Sequence, residues 1–116
     1  MMDAIDAFAA AIAELHELRI AQIAAADAVH MKELHLDQVR HRVLFGLLET
    51  GTNENRRKLE RDQALYEHAE YQDLLLDWHG AKNVFALASA EVEHQERVCR
   101  LKDWLVRAVA PAGETR

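Results

Sequence analysis

Val43-Leu44-Phe45-Gly46-Leu47-Leu48-Glu49-Thr50-Gly51-Thr52-Asn53-Glu54-Asn55-Arg56-Arg57-Lys58 is the stretch whose reading decides the fold. An apolar helical run gives way to a short polar segment, and a charged helical run follows. Gly51 lacks a Cβ and can take the left-handed conformation that closes a helix. Thr52 is then placed to cap the next helix, with Glu54 in its first turn where the helix dipole favours an acid. One such turn near the middle of a 116-residue chain predicts a helical hairpin.

The rest of the chain offers little that would break a helix. It has four glycines and a single proline, Pro111, and is dominated by Ala, Leu, Glu, Arg, Gln and Lys, which favour helix. Half of the residues are apolar, but only 6% are aromatic, a composition suited to thin helix–helix seams rather than a thick core. The expected fold class is all-α: an elongated antiparallel helical hairpin or a three-helix, coiled-coil-like bundle, in one domain over residues 1–116.

Spacing refines this picture. A first helix is expected over about 3–49, on a seven-residue repeat through Ala4, Phe8, Ala11, Leu15, Leu18, Gln22, Ala25, Val29, Lys32, Leu36, Val39 and Val43. A bend near Ala24–Val29 is the alternative. The turn is expected at 50–52 and a short charged helix at about 53–66, with a break or kink at Glu67–Glu70. A last helix over about 70–108 repeats through Tyr71, Leu74, Trp78, Ala81, Phe85, Ala88, Val92, Gln95, Cys99, Lys102, Val106 and Val109, and a frayed tail is expected at 109–116. Gly80 inside the last helix costs about 1 kcal/mol relative to alanine.

A second apolar stripe through Ile5, Ile12, Ile23, Met31 and Leu34 widens the face of the first helix, and Leu75, Val84, Leu87, Val98, Leu101 and Leu105 flank the seam of the last. One chain cannot cover that much apolar surface, so a homo-oligomer is expected.

Charge is polarised along the chain. Residues 38–61 carry Arg40, Arg42, Arg56, Arg57, Lys58 and Arg61 against Glu49, Glu54 and Glu60, a local +3 within a chain of net −6. Residues 62–80 hold Asp62, Glu67, Glu70, Asp73 and Asp77 without a single Lys or Arg. In a hairpin turning at Gly51 the six bases gather within about 16 Å of the tip, at a rise of about 1.5 Å per residue. Phosphate backbones reward such a cluster without base contacts, so these six residues are the candidate site for nucleic acid or another anionic partner. The competing reading is local: Glu49, Glu54 and Glu60 stand at helical spacing to pair with the same bases. The acidic run raises a further possibility, imitation of the charge of DNA.

Other chemistries find less support. Among the seven histidines, Glu91-x-x-His94 and Asp27-x-x-His30 form half of the ligand set of a two-metal carboxylate bundle, but both lie off the seams, and no metal or other cofactor is expected. There is no glycine-rich phosphate loop and no Gly-x-Ser-x-Gly. Cys99 falls on a seam, where a thiol serves as a small apolar side chain, and cannot form an internal disulfide. Neither catalysis nor a small-molecule substrate is expected. No run of about 18 apolar residues suggests a membrane span, and Asp3 and Asp6 stand where a signal peptide needs positive charge. A cytoplasmic protein is the expectation.

The block Arg42–Lys58, followed by Glu70-Tyr71-Gln72-Asp73-Leu74-Leu75 and a long final helix, resembles small phage and prophage proteins. These are alanine-rich helical proteins of about this size, with a Gly-Thr turn and an acid-and-arginine helix start. The resemblance covers about residues 38–108, while the N-terminal third matches only in composition. It implies an accessory role in phage DNA metabolism, such as recombination or single-strand handling, in a phage-infected or bacterial cytoplasm. The many histidines, Trp78 and Trp104 depart from the pattern, and the resemblance assigns no site residues.

Overall fold

The computed structural model of the protein describes residues 3–109, and the expected frayed tail lies, apart from Val109, outside them. Among these residues three helices follow one another: α1 over Ala4–Phe45, α2 over Glu54–Glu67 and α3 over Ala69–Val109. The protein is all-helical, and among the described residues no helix is long and apolar enough to cross a membrane.

α1 begins where Asp3 Oδ1 accepts a 2.8 Å hydrogen bond from the backbone N–H of Asp6. It runs unbroken through Ala24–Val29, so the alternative bend is absent. It stops four residues earlier than the spacing predicts, at Phe45 rather than about Glu49. Gly46 follows immediately and is a poor helix former. There the last turn tightens, with the Leu47 N–H donating to the Leu44 carbonyl at 3.2 Å.

The connection therefore occupies 46–53 rather than 50–52, and two expectations about it are corrected. No glycine among the described residues has a positive φ, so Gly51 does not close a helix in the left-handed conformation. Its role is steric: a Cβ at Gly51 would stand 2.9 Å from the Arg57 backbone nitrogen and 3.1 Å from the Arg56 carbonyl carbon. The N-cap of α2 is Asn53, not Thr52. Asn53 has extended backbone, and its side chain accepts from the Arg56 N–H at 2.9 Å, the geometry an N-cap needs.

α2 and α3 are separated by His68 alone. Its backbone N–H closes α2 on the Leu65 carbonyl, and its Nδ1 accepts from the Tyr71 N–H at 3.2 Å to open α3. The Gln72 amide adds a 3.0 Å bond to the Leu65 carbonyl.

The contacts fall into two units. The first joins α1 up to Ala25 with α3 from Val84 onward. Its core is Ala11, Leu15, Val92 and Cys99, with Phe8, Leu18 and Val98 packed against it. The helices run antiparallel: Gln95 reaches Ala11, and further along α1 Gln22 reaches Ser89. Every buried residue of this unit lies on the predicted seven-residue seams. The second unit covers Ala26–Asn83, buries Leu36, Val39 and Leu65, and ties α1 to α3 through the Arg42–Glu70 ion pair.

The second apolar stripe is a different matter. Ile5, Ile12, Ile23, Met31 and Leu34 are all exposed, because they stand beside the seam rather than on it. Gly80 has nothing within 4 Å of the position of a Cβ, so it marks no close helix approach.

Candidate functional site

The second unit carries all six candidate bases, at the end of α1 and the first two turns of α2. Their surroundings decide what they can do. Arg61 donates to Glu49 at 3.0 Å and also to Glu54. Arg57 donates to Glu54 at 3.3 Å, one turn away. The 46–53 connection is laced to α2 by these contacts and by a second pair: the Thr50 N–H and hydroxyl both donate to the Glu60 carboxylate, at 2.8 and 3.0 Å. The Arg61 guanidinium, and after it that of Arg57, holds the Glu54 carboxyl below its ordinary value, while the Glu54 and Glu49 hydrogen bonds raise Arg61.

The six bases differ in their partners. Arg57 and Arg61 meet through their shared partner Glu54. Arg42 instead pairs with Glu70 at the start of α3, twenty-eight positions along the chain. Arg40, Arg56 and Lys58 are exposed and have no carboxylate within ion-pair distance among the described residues. Half of the predicted anion-binding charge is thus occupied internally. The acids that occupy it were partly legible, since Glu49 and Glu54 do pair with these bases. Glu60 caps Thr50 instead, and nothing in the local spacing pointed to Glu70.

Beside the bases runs a groove of about 590 Å³ bordered by Leu47, Leu48, Arg56, Leu59, Ala64 and Glu67. Phe45, at the end of α1, is 95% exposed, and Leu48 and Leu59 are exposed as well. This end of the second unit is therefore a mixed apolar and charged surface, not a uniformly basic one.

The histidines do not converge. Among the described residues no group of three or more His, Cys, Asp or Glu side chains is placed to hold a metal ion. Glu91 and His94 share a groove in the first unit with Glu14, Leu18, Leu87 and Gln95. Cys99 is buried on the first unit's seam. Trp78, in the second unit, is half-buried with its indole N–H unbonded, and the Lys82 ammonium lies 3.8 Å from its ring centre.

The first unit carries more large apolar side chains on its surface than in its core. Ile5, Ile12, Ile20 and Ile23 on α1 are exposed, as are Val84, Leu87, Leu101 and Trp104 on α3. Comparison of the chain with protein families, curated proteins and solved structures found no match.

Proposed function

We propose that the protein is a non-catalytic structural module that works by helix–helix association with other protein chains. The observation that carries this reading is the apolar surface of the first unit, where Leu87 is 68% and Leu101 57% exposed. Burying each such leucine is worth about 1.5–3 kcal/mol, and large apolar side chains left exposed in this number on one unit are what an interaction site presents. A self-assembling or partner-binding accessory protein of phage or prophage type, such as a virion component or an inhibitor of a host factor, is the setting in which the resemblance of residues 38–108 would make sense.

A second reading rests on a separate observation. Arg40, Arg56 and Lys58 are exposed bases with no internal carboxylate partner among the described residues, which supports contact with DNA or with a DNA-processing protein.

Binding to labelled single- and double-stranded DNA at low and moderate salt, with light scattering on the same sample, separates the two. The association reading expects no salt-sensitive DNA complex and a particle mass above the 13.2 kDa of one chain. A DNA complex that weakens with salt, and is lost on reversing the charge of Arg40, Arg56 and Lys58, establishes the second reading instead. A monomer that binds no DNA overturns self-assembly and DNA contact alike, and leaves a different protein as the partner.

A further inference from the structure

We infer that the association surface is the face of the first unit bearing Val84, Leu87, Leu101 and Leu105, and that its occupant is a second copy of this chain. This rests on the association reading above and names its partner.

The four α3 residues each precede a seam residue (Phe85, Ala88, Lys102 and Val106), so they form a parallel stripe with the same three-and-four spacing. All four are exposed. On α1 the same side of the unit is floored by small residues. Glu14 lines one groove with Leu87, Glu91 and His94. One heptad to either side of Glu14 stand Ala7 and Ala21, and Ala10 and Ala24 lie one turn from these on the same face. The Gln95–Ala11 and Gln22–Ser89 bonds set the register. They bring Leu101 level with Ala7 and Ala10, and Leu87 level with Ala21 and Ala24.

One helix therefore presents large side chains and the other a shallow alanine floor, at two levels of the same face. A two-fold axis along the helices lays α3 of each copy on α1 of the other. Leucines of one copy then fall on alanines of its partner at both levels, and all neighbouring helices are antiparallel. Such an interface is self-complementary, as a two-fold contact requires. From Val84 to Leu105 the face is about 32 Å long, and two helices make it about 20 Å wide. That is roughly 640 Å² in projection, before side-chain relief is added, close to the ~800 Å² per partner of a stable interface. Between the two apolar levels lie Glu14, Glu17, Glu91 and His94. Their acids repel across the axis, so added salt strengthens the dimer, the reverse of phosphate binding.

The test is sedimentation equilibrium of the full chain. The expected result is a dimer whose Kd falls as salt rises. Leu87→Asp with Leu101→Asp weakens it at least 100-fold with the helical circular dichroism retained, and Ile12→Asp, in the groove that Arg19, Arg100 and Asp103 border on the other side of the unit, leaves it within threefold. Should the double variant unfold, a mixture of Ala10→Cys chains and Leu101→Cys chains decides the matter: oxidation yields a disulfide-linked heterodimer. Absence of that product overturns the two-fold arrangement, as does a Kd that rises with salt. An oligomer broken by Ile12→Asp but not by the leucine variants overturns this face while leaving the association reading standing. A monomer at every concentration overturns the inference outright.

Discussion

Gln95 and Ala11 lie 84 positions apart, and the Gln95 side-chain amide donates a 3.0 Å hydrogen bond to the Ala11 backbone carbonyl inside the antiparallel seam. Gln95 is the only polar residue that is buried among those described, at 6% exposure. Its bond has a direction, whereas the surrounding apolar contacts do not. A polar group at a seam position fixes the register of two helices at some cost in stability.

Replacing Gln95 with alanine is expected to destabilise the fold by about 1–2 kcal/mol, through the lost bond and the lost packing of its stem. Replacing it with leucine leaves stability equal or higher, because the desolvated amide disappears while the Ala11 carbonyl keeps the helix bond it accepts from the Leu15 N–H within α1. Urea unfolding monitored by circular dichroism measures both. A leucine variant markedly weaker than the alanine variant would show that the seam has no room for a branched side chain.

Gly51 and Gly80 should respond oppositely to alanine. At Gly51 the new Cβ meets backbone atoms of Arg56 and Arg57 at 3.1 and 2.9 Å, which cannot yield as a side-chain end does. The expected loss is about 1–3 kcal/mol. At Gly80, inside α3, nothing stands within 4 Å, and alanine gains about 0.5–1 kcal/mol from helix propensity. Thermal melts of the two variants, one lowered and one raised, check the pair.

Acid stability should report on the Glu54–Arg61 contact. Arg61, and then Arg57, lowers the Glu54 carboxyl from its ordinary 4.5. A group whose value is lower in the folded state contributes stability above its unfolded value and loses it as pH falls through the folded one. The contribution is therefore present at neutral pH and disappears below 4.5. Arg61→Gln should reduce stability at neutral pH and flatten that part of the acid limb in urea titrations. An unchanged acid limb would mean that solvent screens the contact fully.

His68 joins two helices, closing α2 with its backbone N–H and opening α3 with its side chain. Its Nδ1 accepts the Tyr71 N–H at 3.2 Å, so His68→Ala is expected to cost about 1 kcal/mol through the lost cap. His68→Asp should restore most of it, since an acid caps a helix start and complements its dipole. Hydrogen exchange at the Tyr71 amide reads the effect locally: fast in the alanine variant, slow in the other two.

Much of the fold was legible because helical periodicity is a local property. The seven-residue spacing places Ala11, Leu15, Leu36 and Val39 on one seam and Val92, Gln95 and Cys99 on another, and these are among the residues the structure buries. The connection was misread because two glycines compete there. Gly51 has the neighbours of a helix stop, but Gly46 comes first and ends α1, and Asn53 outcompetes Thr52 as the cap that faces the Arg56 N–H. The pairing of the candidate bases was legible only in part. Arg57 and Arg61 find acids close in sequence, whereas the Arg42 partner Glu70 belongs to a helix that only folding brings near.

The sequence by itself determined that this chain is helical, where its two long seams run, and which apolar side chains stand outside them. All three follow from spacing and propensity within one helix at a time. Only the tertiary structure decided which bases pair with carboxylates and which polar group enters the seam. Those outcomes depend on side chains meeting across helices, as Arg42 meets Glu70 and Gln95 meets Ala11, and periodicity within a single helix carries no information about such meetings.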